Sequence, residues 1–147
     1  MRSLVQRVKS AHVSVQGQKV ASIGQGLLLF AGIGRDDDDT DVEYMCNKIV
    51  NLRIFEDAQG KMNFNVSQIN GQILSVSQFT LYGNIRKGNR PGFDESAEPL
   101  KAKDLWIAFN NRLRDKGADV KEGVFGAHME VELINDGPVT IWIDSNL

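Results

Sequence analysis

Cysteine is nearly absent: Cys46 is the single one in 147 residues. That excludes an internal disulfide framework and a zinc site built from several cysteines. It suits a reducing compartment. Basic excess is also missing. Lys and Arg total 17, Asp and Glu total 19, and the net charge is -2. A globally basic nucleic-acid binder is excluded, whereas a local basic patch is not. The longest apolar run, Leu27 to Ile33, falls far short of the roughly 20 residues that span a bilayer as a helix. Arg7 and Lys9 interrupt the first residues before an apolar segment can form, so no signal peptide and a cytoplasmic location are expected. Repeats, linkers, low-complexity tracts and composition breaks are lacking, which predicts a single domain over 1–147. What remains is ordinary globular composition, 41% hydrophobic and 24% charged. A chain of this length buries roughly 70% of its unfolded surface.

Strands dominate the first third. Leu4 to Val8 is apolar-rich, and Val13 and Val15 alternate within His12 to Val15. Gly17-Gln18 predicts a turn before Lys19 to Ile23, and Leu27 to Ala31 reads as a buried strand. Asp36 to Asp39 forms an acidic loop. Thr40-Asp41-Val42-Glu43 then predicts a capping box, with Val42, Met45, Ile49 and Leu52 at helical spacing behind it. Gln72 to Gln78 reads as another buried strand. Trp106, Phe109 and Leu113 outline a second helix ended by Gly117. Strands are expected again at Val120 to Phe125, Met129 to Ile134 and Val139 to Ile143. Two principal helices among many strands, with no evident βαβ alternation, predict an α+β fold with a mainly antiparallel, barrel-like sheet.

Several features have ordinary explanations. Neither Gly24-Gln25-Gly26 nor Gly32-Ile33-Gly34 completes a phosphate-loop pattern. The acidic loop lacks the ligand spacing of a calcium site and complements a helix N-terminus. Cys46 falls on the apolar helix face and reads as a small buried hydrophobe. His12 and His128 are the only histidines, and no G-x-S-x-G elbow accompanies them.

Three segments admit two readings each. Val76-Ser77-Gln78-Phe79-Thr80 places two hydroxyls and an amide at a strand mouth, where they and nearby backbone N–H groups can orient an ester carbonyl. It can equally be a polar strand end with Thr chosen for β propensity. Asn135-Asp136-Gly137-Pro138-Val139-Thr140 is either a plain turn or a cis Gly-Pro unit aiming carbonyls in one direction. The loop carrying Arg86, Lys87 and Arg90 is either a clamp for a phosphodiester backbone or a solvated basic loop.

Taken in order, seven segments carry a resemblance that runs nearly end to end. They are Val5-Gln6-Arg7-Val8, Asn51 to Asp57, Lys61-Met62-Asn63, Ser77-Gln78-Phe79-Thr80, Lys87 to Pro91, Gly123 to Met129 and Asn135 to Thr140. Together they resemble the bacterial and eukaryotic D-aminoacyl-tRNA deacylase family. The resemblance implies hydrolysis of the ester joining a D-amino acid, or misattached glycine, to the terminal adenosine of tRNA. It implies catalytic roles for Ser77, Gln78, Phe79 and Thr80. Substrate binding and chiral selection fall to Gly137, Pro138, Arg7 and Met129, with Arg7 holding a Gly-cis-Pro motif that enters the partner's pocket. Arg86, Lys87 and Arg90 are the expected RNA contacts. The family works as a homodimer with composite sites and needs no metal or organic cofactor. Aminoacyl-tRNA is the expected partner, and neither DNA nor a membrane is. His128 and Gly83-Asn84-Ile85 depart from the family pattern outside the two signature motifs. The competing functions are an RNA-binding dimer without activity, and a hydrolase of another small D-amino acid ester.

Overall fold

β1 (Arg2–Val15) is the strand on which the rest is assembled. The computed structural model describes every residue from Met1 to Leu147. On one side β1 pairs antiparallel with β3 (Gly26–Gly32) through its first half and with β2 (Gln18–Ile23) through its second. On the other side it pairs antiparallel with β8 (Glu130–Asp144) from Arg2 to Ser14. The two strands expected at Leu4 to Val8 and His12 to Val15 are therefore one. The register shifts between Val8 and Ser10, and Lys9 and Ser10 are both exposed. A bulge of this kind breaks the period of two without ending the strand.

Beyond β3 the sheet continues through β6 (Gln72–Ser77) and β7 (Asp119–Glu122), and both of these joins are parallel. The α+β class with a mainly antiparallel, barrel-like sheet holds, but the expectation of no βαβ units does not. Parallel neighbours need crossovers. The first carries α1 (Asp39–Val50) with the small hairpin of β4 (Phe55–Glu56) and β5 (Met62–Phe64). The second carries α2 (Pro99–Asp115). Unbroken burial of Leu27, Leu28 and Leu29 and of Ile73 to Val76 is the usual mark of strands covered on both faces.

Both helices pack on one face. Val42, Met45, Cys46 and Ile49 of α1 and Ala102, Trp106, Phe109 and Leu113 of α2 enter one cluster with Leu27, Leu29 and Ile73. Each fully buried large side chain contributes roughly 1.5–3 kcal/mol. The other face encloses a smaller cluster of Val8, Ala11, Val13, Ile23, Leu28, Leu74 and Val76. Trp106 Nε1 donates to Ser75 Oγ at 3.0 Å, which satisfies two buried polar groups and ties α2 to β6. No helix is long and apolar enough to cross a membrane.

Local corrections have local causes. The capping box is Asp38 with Asp41: Asp38 Oδ1 accepts from the Thr40 amide at 2.8 Å, and the Asp38 amide donates to Asp41 Oδ2 at 2.9 Å. Thr40 lies inside the helix, so the expected box led by Thr40 is displaced by two residues. Leu52 falls beyond the helix end at Val50. The first hairpin turns at Gln16-Gly17, both at positive φ, one residue before the predicted turn.

Candidate active site

β6 stops at Ser77 because Gln78 turns out of the ladder after its amide donates to the Ala31 carbonyl at 2.8 Å. A short 3-10 helix, Phe79–Tyr82, follows at once. The strand expected to run through Gln78 is thus one residue shorter, and Thr80 belongs to the helical turn. The first bond of that turn runs from the Leu81 amide to the Gln78 carbonyl at 3.3 Å. The N–H groups of Phe79 and Thr80 precede it, so they have no acceptor within the turn.

Ser77 to Phe79 edge a cavity of about 570 Å³ at the carboxyl ends of β3 and β6, with Thr80 next along the chain. Ligands favour that end of parallel strands. Ser77, Gln78, Phe79 and Met129 line it, with Trp106 and Phe125 among its apolar walls. β7 ends at Glu122 rather than at the expected Phe125. Gly123 still donates to the Ser75 carbonyl at 2.9 Å, and the chain then leaves the sheet and delivers Phe125 to Met129 to the cavity. The Met129 sulfur accepts from the Val124 amide at 3.4 Å, which fixes its position.

Gln78 Nε2 donates to Thr80 Oγ1. The Thr80 hydroxyl therefore meets an amide rather than a base, and a neutral amide cannot remove its proton. His12 is engaged elsewhere, 3.0 Å from Glu132 across β1 and β8. His128 is exposed on the cavity rim. Phe79 is 55% exposed and packs edge-on against Phe93, with ring centroids 4.9 Å apart. No three His, Cys, Asp or Glu side chains gather to hold a metal ion. Burial raises the Cys46 thiol to about 12, as befits a packed side chain.

Asn135 to Thr140 is not a plain turn. Gln6 pairs with Thr140 and Val8 with Asn135, so β8 continues along β1 on both sides of the motif. Asp136 to Val139 bulge out opposite the single residue Arg7. The Gly137-Pro138 bond is cis, Gly137 has φ +129°, and both residues are exposed. Arg7 lies beneath them, 5% exposed. Its Nε donates to the Asp136 carbonyl at 3.0 Å and its Nη1 to the Ile54 carbonyl at 2.6 Å. Asn135 Nδ2 closes the neck by donating to the Arg7 and Val139 carbonyls at 3.3 and 3.1 Å. A Cβ on Gly137 would stand 2.8 Å from Arg7 Nη2 and 2.9 Å from Val139 Cγ2, so the bulge accepts glycine alone without rearrangement.

Within one chain these two motifs stand apart. None of Arg7, Gly137 and Pro138 lines the cavity, to which β8 contributes Val131, six positions before Gly137. Of the residues expected together, Ser77, Gln78, Phe79 and Met129 meet at the cavity with Thr80 beside them, while Arg7, Gly137 and Pro138 form a second locus. Arg86, Lys87 and Arg90 occupy a third, an exposed loop closed by paired Asn84 and Gly92 backbone bonds of 2.9 Å each. None of the three cations makes an ion pair within the chain. Phe93, just beyond this loop, also lines the cavity. Ser96 and Pro99 do too, and nothing in their residue type or spacing marks them in the sequence. Asn135 was inside a quoted motif, yet its clamp is visible only in three dimensions.

The family model for D-Tyr-tRNA(Tyr) deacylase matches residues 4–144. Proteins named D-aminoacyl-tRNA deacylase from Thermosipho africanus and Brevibacillus brevis are 52% and 54% identical over 145 residues. The alignments cover 99% of this chain and 97% and 100% of those proteins. A solved structure titled c-Myc DNA Unwinding Element Binding Protein is 40% identical, with a TM-score of 0.93 over 98% of both chains. A structure described as a probable eukaryotic D-amino acid tRNA deacylase shares the fold at 17% identity and a TM-score of 0.79, over 97% of both chains. The chain belongs to the D-Tyr-tRNA(Tyr) deacylase family.

Proposed function

We propose that this protein hydrolyses the ester of D-aminoacyl-tRNA, and of glycine misattached to tRNA, releasing the free amino acid and tRNA. The observation that carries the reading is that one chain holds two separate, incomplete halves of a site. One is a cavity edged by Gln78 and Phe79, with the Phe79 and Thr80 N–H groups unpaired within their turn. The other is an exposed Gly137-Pro138 bulge braced by Arg7, none of which lines that cavity in its own chain. A homodimer related by a two-fold axis makes each half available to the other.

In such a site the terminal adenosine lies against the apolar and aromatic walls. Gln78 and the two amides polarise the ester carbonyl and stabilise the oxyanion, an effect for which one donor is commonly worth about 100- to 1,000-fold in rate. Ser77, Thr80 and Met129 position the acyl group or the water. Water attacks the carbonyl carbon, the ester bond to the ribose oxygen breaks, and that oxygen leaves as a hydroxyl. The adjacent ribose hydroxyl assists, being already held at high effective concentration. The carbonyls of the partner subunit's Gly137 and Pro138 receive the substrate ammonium. An L side chain then meets main chain, whereas a D side chain points outward and glycine presents nothing to exclude. Rejection by main chain is a steric block against the wrong ligand and is indifferent to which D side chain is present. Arg86, Lys87 and Arg90 neutralise phosphates of the acceptor end in the cytoplasm.

A deacylation assay compares D-aminoacyl-tRNA, L-aminoacyl-tRNA and a free D-amino acid ester. The expected order is rapid release from the first, with L-aminoacyl-tRNA left intact and the free ester cleaved poorly. Equal cleavage of L- and D-aminoacyl-tRNA overturns the chiral reading. Cleavage of none, with tRNA still bound, favours an RNA-binding dimer without activity.

A further inference from the structure

Arg2 takes no part in the chemistry above, yet it grips the turn that supplies the oxyanion donors. Its Nη1 donates to the Leu81 carbonyl at 3.2 Å, and its Nε pairs with Asp144 Oδ2 at 3.0 Å. The guanidinium carbon lies 4.3 Å from the centroid of the Tyr82 ring and 5.9 Å from that of Trp142. Tyr82 is buried, and its hydroxyl donates to Asp37 at 3.3 Å. Burial and the Asp37 carboxylate push that hydroxyl above its ordinary pKa, so it remains a donor. Asp37 is itself buried and held by the Gly34 amide and the Met1 ammonium.

The turn from Phe79 to Tyr82 is thus anchored at its far end through the Leu81 carbonyl, the Tyr82 ring and the Tyr82 hydroxyl. Phe79 and Thr80, at its near end, are exposed. A four-residue 3-10 helix has too few internal bonds to be rigid alone. The aim of its first N–H groups therefore depends on that anchor. We infer that Arg2 is a positioning residue, holding the turn from Phe79 to Tyr82 through Leu81 and Tyr82 so that the Phe79 and Thr80 amides point at the reacting carbonyl. The inference rests on reading those amides as oxyanion donors. Arg suits the role better than Lys, because one planar group donates in two directions and stacks on a ring.

The test compares wild type with Arg2→Ala, Arg2→Lys and Tyr82→Phe on D-aminoacyl-tRNA. A small misplacement of a catalytic group can cost about 100-fold. Arg2→Ala is expected to lower kcat by about 10- to 100-fold with KM within about twofold, Arg2→Lys and Tyr82→Phe falling between it and wild type. Added guanidinium at low concentration should restore part of the Arg2→Ala loss. Unchanged kcat in folded Arg2→Ala overturns the inference, as does a parallel fall in kcat and Tm without rescue. Amide hydrogen exchange tests the anchor independently of catalysis. Arg2→Ala should speed exchange from Leu81 to Gly83 while the β1 to β3 core keeps its protection, and unaltered exchange in that turn contradicts the anchor. Failure of wild type to release D-amino acids defeats the functional reading alone.

Discussion

Thr80 is the residue on which the chemistry turns at the smallest scale. A threonine hydroxyl can form an acyl-enzyme only when a base removes its proton. Here its partner is the Gln78 amide, His12 is paired with Glu132, and His128 stands on the exposed rim. In the proposed mechanism Thr80 therefore positions substrate or water rather than attacking. Thr80→Ala should keep substantial deacylation, within about tenfold of wild type, because the oxyanion donors are untouched. A tRNA ending in 2′-deoxyadenosine should be the poorer substrate. A trapped acyl-Thr80 adduct seen by mass spectrometry, with Thr80→Ala folded but inactive, would reverse the assignment.

At the scale of elements, α1 sets the back wall against which the sheet packs, and its start is fixed by Asp38. The cap satisfies donors that the helix itself leaves unpaired. Asp38→Ala should cost about 1 kcal/mol, whereas Thr40→Ala, at an exposed position inside the helix, should be neutral or stabilise by a few tenths, since Ala is the better helix former. Denaturant titration of the two variants checks this, and the reverse order would restore the box led by Thr40. The same region shows what a sequence can reveal. The helix was legible from Val42, Met45 and Ile49, since that spacing records one buried face. Its first residue was not, because Asp38-Asp39-Thr40-Asp41 offers two overlapping caps and only the chain path selects one. The motif of Ser77 to Thr80 was legible as a strand mouth, but the 3-10 turn that frees two amides was not. Strand ends are set by what the next residues pair with, and Gln78 makes the last ladder bond, to the Ala31 carbonyl, before the chain turns. Asn135 to Thr140 reads as either a plain turn or a cis Gly-Pro unit, because Asp-Gly-Pro favours turns locally and the sequence alone does not choose. The long-range pairing of both flanks with β1 makes it a bulge, with the Gly137-Pro138 bond cis. The parallel joins escaped notice since about 40 residues separate β3 from β6, a span in which helix and hairpin mask the crossover.

For the whole molecule, the central claim is that the functional site is shared between two chains. β8 pairs only with β1, so its outer edge is open, and Ile134 and Trp142 on that strand are 56% and 45% exposed. An edge of this length is ordinarily covered. The bulge braced by Arg7 projects from the same strand, and none of Arg7, Gly137 and Pro138 lines the cavity of its own chain. In the proposed two-fold dimer a second copy would cover the edge and complete the site at once.

Subunit complementation tests this most directly. Gln78→Ala disables the cavity, and Gly137→Val disables the bulge through the contacts a Cβ would make with Arg7 and Val139. Each variant alone should be nearly inactive on D-aminoacyl-tRNA. After the two are unfolded together and refolded, random pairing makes half the dimers mixed, and each mixed dimer regains one intact site of two. Activity should return to about a quarter of wild type in a two-fold dimer. Variants that refold together into dimers yet stay inactive would contradict the shared site and place the chemistry within a single chain.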